Sequence, residues 1–147
     1  MSATADNPVV IHIGRACKGN PGPGGWGVVI YRNERRLELC GGTFWTTNSE
    51  MELTAAIKAL EALKKPLPVR LITDSQYVVD GMTKYLSDWK ARGWKKSGKK
   101  PVVNAEMWQR LDELAAAHQV EWVWVSGHSG NEQANRLANQ GISKANQ

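Results

Sequence analysis

Residues 51–74, MELTAAIKALEALKKPLPVRLITD, decide the architecture. From Met51 to Leu63 apolar residues recur every three to four positions, the period of an amphipathic helix, and Thr46-Thr47-Asn48-Ser49 supplies a polar cap just before it. Pro66 and Pro68 stop that helix, and the aliphatic run Val69-Arg70-Leu71-Ile72-Thr73 reads as a strand ending at Asp74. Towards the N-terminus, Val9 to Ile13, Trp26 to Tyr31 and Leu37 to Thr43 read as three strands joined by short links, with Lys18 to Gly25 a Gly/Pro loop. Towards the C-terminus, helices are expected at Ser75 to Met82, through a Trp-rich basic segment, and at Asn104 to His118. Val120 to Val125 then forms a fifth strand, with Trp122 and Trp124 on one face, and Asn131 to Lys144 a last helix. The order predicts an α/β fold: a five-stranded mixed sheet, three antiparallel strands then two parallel, with helices on both faces. There is no internal repeat or linker, so residues 1–147 read as one domain with a flexible polar tail over residues 1–8.

Composition narrows the class. A chain of 147 residues with 41% apolar residues and seven Trp can bury an ordinary core and is not disordered. No stretch approaches the ~20 consecutive apolar residues of a membrane-spanning helix, and Met1 to Pro8 lacks a charged-then-apolar leader, so a soluble, cytoplasmic protein is expected. Cys17 and Cys40 make neither a disulfide framework nor a spaced zinc site and are expected to be free thiols. The net charge of +5 is unevenly spread. Residues 84–100 carry seven basic side chains (Lys84, Lys90, Arg92, Lys95, Lys96, Lys99, Lys100) against Asp88, a net of +6, which leaves −1 for the rest. A near-neutral domain with one basic segment, spanning residues 84–103, has the charge footprint of a polyanion binder.

Five segments, taken together and in order, resemble the type 1 ribonucleases H. They are Cys17 to Gly25, Thr46-Thr47-Asn48 leading into Met51-Glu52-Leu53, Thr73 to Val78, Trp89 to Trp94 with Lys99-Lys100-Pro101-Val102 and Asn104, and Trp124-Val125-Ser126-Gly127-His128. The resemblance implies the ribonuclease H-like fold and an endonuclease that cuts the RNA strand of RNA–DNA hybrids. It implies Mg2+ or Mn2+ as cofactor, with two ions activating a water and stabilising the leaving oxygen. Hard cations take oxygen ligands, and the family converges four carboxylates on them. Glu52 matches the carboxylate of the first helix, Asp74 that of the fourth strand, and His128 the loop histidine that assists proton movement and product release. The resemblance further implies a nucleic-acid surface made by Cys17, Gly19, Asn20, Thr47, Asn48, Gln76, Trp89 and Trp94 with Lys95, Lys96, Lys99 and Lys100. The expected partner is an RNA–DNA hybrid or other double-stranded nucleic acid, bound by a monomer.

Two family carboxylates are absent. Where the family has Thr-Asp-Gly this chain has Ile13-Gly14-Arg15, and the carboxylate of the last helix is replaced by Asn135. The loop between His128 and Asn131 is about three residues shorter than the family's. An Asn carbonyl can still ligate a hard cation, so Asn135 keeps a place beside Glu52 and Asp74 in the expected metal set. Glycine offers no side chain, and the family aspartate missing at Gly14 bridges both ions. Each lost or added unit charge at ~4 Å is worth up to about 4 kcal/mol of ion binding at an effective dielectric of ~20, and Arg15 adds a cation. Metal binding is therefore expected to be weakened and cleavage weak or absent.

His12, Glu50 and Glu132 are the residues near enough in sequence to be weighed as substitutes. His12 shares a strand face with Gly14 about 7 Å away, Glu50 faces away from Glu52, and Glu132 lies one turn before Asn135. Alternatively Arg15 pairs with Glu52 and Asp74 and stands in for the metal charge. On the binding side, Ser49 replaces a usual Asn and Glu50 a common basic residue. Three readings stay open: an active ribonuclease H with altered metal ligands, a hybrid-binding homologue that does not cut, and a non-catalytic protein-interaction domain.

Overall fold

The structure is a computed structural model and describes residues 7–96, 98, 100–127 and 131–145. Alternation sets its central strand: in β1 (Val9–Cys17) Val9, Ile11 and Ile13 are buried in the main core, while Val10, His12 and Gly14 turn to the other face. β2 (Gly22–Arg32) pairs antiparallel with β1, and β3 (Arg35–Thr46) antiparallel with β2 at the sheet's edge. α1 (Asn48–Glu61) then returns the chain so that β4 (Pro68–Thr73) pairs parallel with β1, and β5 (Gln119–Trp124) parallel with β4. The sheet order is β3-β2-β1-β4-β5, with three antiparallel strands followed by two parallel ones, as the element order predicts.

One face carries the main core. Leu53 and Leu60 of α1 and Trp108 and Leu111 of α4 (Ala105–Ala116) pack with Ile11, Val28, Val69 and Leu71 of the strands. Between β4 and α4, α2 (Gln76–Asp80), a wide π-helical turn (Gly81–Tyr85) and α3 (Leu86–Ala91) run end to end. The other face is covered over β1 to β3 by α5 (Glu132–Ala145).

Several boundaries differ from the sequence reading: β3 runs from Arg35 to Thr46 rather than Leu37 to Thr43, and α1 from Asn48 to Glu61 rather than Met51 to Leu63. β1 continues past Ile13 to Cys17, which pairs with Gly24, so half of the expected Gly/Pro loop belongs to β2. These glycines serve a close approach: a Cβ on Gly25 would lie 2.1 Å from the Ala138 carbonyl oxygen, and one on Gly27 2.3 Å from that of Ala134. The α5 backbone lies directly on β2. Among the described residues no helix is long and apolar enough to cross a membrane, and both cysteines are free. Residues 1–6 of the expected tail lie outside the described residues.

Candidate functional site

Ile13 of β1 lies beside Thr73, the last residue of β4, so Gly14 and Arg15, still paired with β2, come beside Asp74 where β4 ends. Glu52 reaches the same place from α1 and Asn135 from α5. Arg15 occupies the centre: its Nε lies 3.1 Å from Glu52 Oε2 and its Nη1 3.5 Å from Asp74 Oδ1. The Nε–H has no aligned acceptor among the described residues, so its attraction to Glu52 is Coulombic. Both carboxylates are buried, and the guanidinium side chain is about one-third exposed at 32%. Asn135 completes the cluster, donating from Nδ2 to Asp74 Oδ2 at 3.1 Å and accepting at Oδ1 from the Arg15 backbone N–H at 3.3 Å. Burial pushes the Glu52 carboxyl above its ordinary value; a hydrogen bond from the Ser75 side chain and the Arg15 charge oppose that rise, and the Asp74 charge adds to it.

The structure thus brings Glu52, Asp74 and Asn135 together and turns Arg15 inward between them. His128 lies outside the described residues. Gly14 leaves no room for the missing side chain: a Cβ there would stand 2.5 Å from the Ala134 carbonyl carbon and 2.6 Å from the Asn135 backbone nitrogen. α5 has settled into the space a side chain at residue 14 would occupy. The donor set does not fit a pair of divalent ions. Two carboxylates share a guanidinium, the amide oxygen of Asn135 faces a backbone N–H and its NH2 faces Asp74, and no group of three His, Cys, Asp or Glu that could hold a metal occurs among the described residues.

Two supporting residues were not singled out in the sequence. Asn131, 1% exposed, donates from Nδ2 to the Ile13 carbonyl at 2.8 Å and so ties the start of α5 to the middle of β1. Ser75 caps α2 by accepting from Val78 N–H while serving Glu52. A polar residue at each helix start is the signal that could have found both.

The expected nucleic-acid residues fall in two groups. Asn20, Thr47, Trp89 and Lys96 line one cavity of about 590 Å³ between the Gly/Pro turn, the start of α1 and the basic segment. The Asn48 backbone N–H donates to Asn20 Oδ1 at 3.0 Å, which fixes the turn to the helix. Glu50, standing where a basic residue is common in the family, closes the helix cap: its Oε1 accepts from Thr47 N–H at 3.0 Å and from the Thr46 and Thr47 hydroxyls at 3.1 and 3.2 Å. It still borders the cavity. Gln76 is exposed at the start of α2, and Gly19 adopts φ +87° in the turn. The Cys17 thiol is turned against the backbone, directed at the Thr46 carbonyl 3.5 Å away.

The tryptophans of the basic segment root it. Trp94, Trp89 and Trp108 form a chain of ring contacts at centroid distances of 6.2 and 5.1 Å, continued by Tyr77, whose hydroxyl accepts from Trp108 Nε1 and Asn104 Nδ2. Trp89 and Trp94 are half-buried against the core, and Trp89 also reaches the cavity. Lys95 bridges to Pro101, and Lys96 N–H donates to the Lys100 carbonyl at 2.7 Å, which holds Lys95, Lys96 and Lys100 exposed on a hairpin. Lys99 lies outside the described residues. Lys84 and Lys90 are paired with Asp80 and Asp112 at 3.5 and 3.1 Å, so the free positive charge concentrates at the hairpin.

Comparison with known proteins shows the family and the fold. The chain matches the RNase H family over residues 6–146. It is 62% identical over 130 residues to the Ribonuclease H of Halorhodospira halophila, covering 86% of this chain and 87% of that one. It is 55% identical over 144 residues to the Ribonuclease HI of Pseudomonas aeruginosa, covering 96% and 97%. Among solved structures it is similar to LC9-RNase H1, described as a type 1 RNase H with the type 2 active-site motif, at TM-score 0.80 and 36% identity over 93% of this chain and 74% of that one. It is also similar to LC11-RNase H1 in complex with RNA/DNA hybrid, at TM-score 0.73 and 27% identity over 95% and 99%. The chain therefore belongs to the RNase H family, as a type 1 member, the family whose reaction is cleavage of RNA–DNA hybrids.

Proposed function

We propose that this protein binds RNA–DNA hybrids and does not cleave them at the family's rate. One observation carries the proposal: the Arg15 guanidinium lies 3.1 Å from Glu52 and 3.5 Å from Asp74, beside a residue 14 that has no side chain. In the family that place needs negative ligands around divalent cations. Here the charge of two carboxylates is met by an internal cation, and the third ligand is a neutral amide. Binding rests on other residues: Asn20, Thr47 and Lys96 around one cavity, Gln76 exposed nearby in sequence to Asp74, and Lys95 and Lys100 on the hairpin. Phosphate contacts from lysines set affinity and register, and polar contacts to sugar hydroxyls separate RNA from DNA. The hybrid held by LC11-RNase H1 is a fitting ligand class for this fold.

The test runs binding and cutting on one labelled hybrid. Fluorescence anisotropy is expected to show salt-sensitive binding, and gel analysis with Mg2+ and with Mn2+ is expected to show turnover several orders of magnitude below that of an active family member run in parallel. Turnover comparable to that member in either metal ends the non-cutting reading. Binding that is absent, or insensitive to salt, points instead to a domain kept for protein contacts.

A further inference from the structure

Among the described residues, the two most exposed aromatic side chains lie outside the cluster and the cavity. Phe44, the chain's only Phe, is 69% exposed and its neighbour Trp45 is 67% exposed. Single exposed hydrophobics are ordinary, but two consecutive aromatic side chains with two-thirds of their surface in water are not. Neither ring contacts another aromatic or a cation among the described residues. Their backbone setting is specific: Gly24 pairs with Thr43 and Gly22 with Thr46, so Phe44 and Trp45 together stand opposite the single residue Pro23 in a β-bulge. Bulges re-aim side chains and concentrate beside functional sites.

The bulge is firmly founded. Thr46, the next residue, is 3% exposed; its carbonyl faces the Cys17 thiol and its hydroxyl donates to Glu50. Thr47 and Asn48 follow at once, and Asn48 is held to Asn20. On the opposite strand, the Pro23 carbonyl accepts from the Lys18 backbone N–H at 2.7 Å, so the turn that carries the exposed Lys18 is tied to the residue facing the bulge. Two exposed rings, polar side chains in continuation and an exposed lysine on the turn beyond Pro23 make the combination that takes a single strand: bases stack on aromatic faces and lysines meet phosphates.

We infer that Phe44 and Trp45 form a stacking platform for unpaired nucleotides extending from the bound hybrid, so that the preferred ligand is a hybrid with a single-stranded extension. This rests on the hybrid-binding reading, and the experiment separates the two. Affinities are measured in EDTA for a short blunt hybrid and for the same hybrid carrying a short unpaired extension, with wild-type protein, W45A, the double variant F44A/W45A and the conservative W45F. The extension is expected to tighten wild-type binding by about fivefold or more, the scale of one stacked base. The gain is lost in F44A/W45A and reduced in W45A but largely kept in W45F, while blunt affinity stays within about twofold. Thermal melts check that these surface substitutions leave the fold intact.

Equal wild-type affinity for the two ligands overturns the inference. So does a double variant that weakens blunt and extended hybrids alike, or wild-type self-association by sedimentation that disappears in F44A/W45A, since the rings then serve the duplex or a second copy. Failure of the blunt hybrid to bind ends the hybrid reading alone. In that case binding of a short single strand that depends on Phe44 and Trp45 upholds the platform, and its absence overturns it.

Discussion

At the scale of single residues, Arg15 governs the cluster. Glu52 and Asp74 are buried carboxylates, and Glu52's proton affinity is already raised, chiefly by burial. Removing Arg15 leaves two anions together with no cation, and breaking a buried pair in this way costs several kcal/mol, less where one partner is partly exposed. Arg15→Ala is therefore expected to lose about 2–3 kcal/mol at pH 7.5 in urea unfolding. An acid whose folded-state pKa is raised contributes stability that is present below its unfolded value, ordinarily 4.5, and lost as pH rises through the folded value. The variant lacks the arginine charge that restrains Glu52, so its folded value climbs further and its stability falls more steeply with pH above 4.5 than the wild type's. Equal losses at pH 5 and pH 7.5 contradict this account. The absent aspartate at residue 14 was legible in the sequence, because it breaks a motif. The inward turn of Arg15 was only one of several options there, because it depends on Glu52, 37 residues on, and Asp74, 59 residues on.

At the scale of elements, α5 and β1 share a contact that sequence patterns do not carry. Periodicity and a polar start place α5, and β-branched alternation places β1, yet neither reports the separation between them. The Gly/Pro stretch reads as a loop because glycine usually marks a turn, whereas its residues Gly22 to Gly25 belong to β2, with Gly25 beneath the α5 backbone. Gly14 belongs to the same surface. Adding even a methyl group there drives it against Ala134 and Asn135 backbone atoms, so Gly14→Ala is expected to destabilise by about 1–3 kcal/mol by urea unfolding. Gly14→Asp, with or without Asn135→Asp, is expected to lose at least as much, because α5 must move before a carboxylate fits. A Gly14→Ala protein as stable as the wild type would show that α5 yields freely. α1 was the opposite case: its cap at Thr47 and its apolar stripe are local and lie where the sequence puts them, and the helix ends at Glu61, two residues short of the Leu63 expected ahead of Pro66.

For the whole molecule, the basic surplus resolves into paired and free charge. Lys84 and Lys90 are neutralised by Asp80 and Asp112, whereas Lys95, Lys96 and Lys100 stand exposed on a hairpin held by tryptophans packed on the core. Counterion release scales with the phosphates met, so Lys95→Gln with Lys96→Gln is expected to weaken hybrid binding and to flatten the slope of log affinity against log salt by about one to two units. Lys90→Gln is expected to change the slope less. A double variant with an unaltered slope removes the hairpin from the interface. Charge counting located this segment in the sequence; which lysines were spent on neighbouring acids depended on Asp112, which lies on a different helix.

The bulge at Phe44 and Trp45 has a consequence for solubility. β3 is an outer strand, and a long flat outer strand bearing aromatic residues is a template on which other chains add and aggregate. Two residues opposite one interrupt the hydrogen-bonding ladder at the point where the rings emerge. The irregularity thus lets the molecule carry its most adhesive surface on an open edge while denying that edge the even spacing from which fibrils grow.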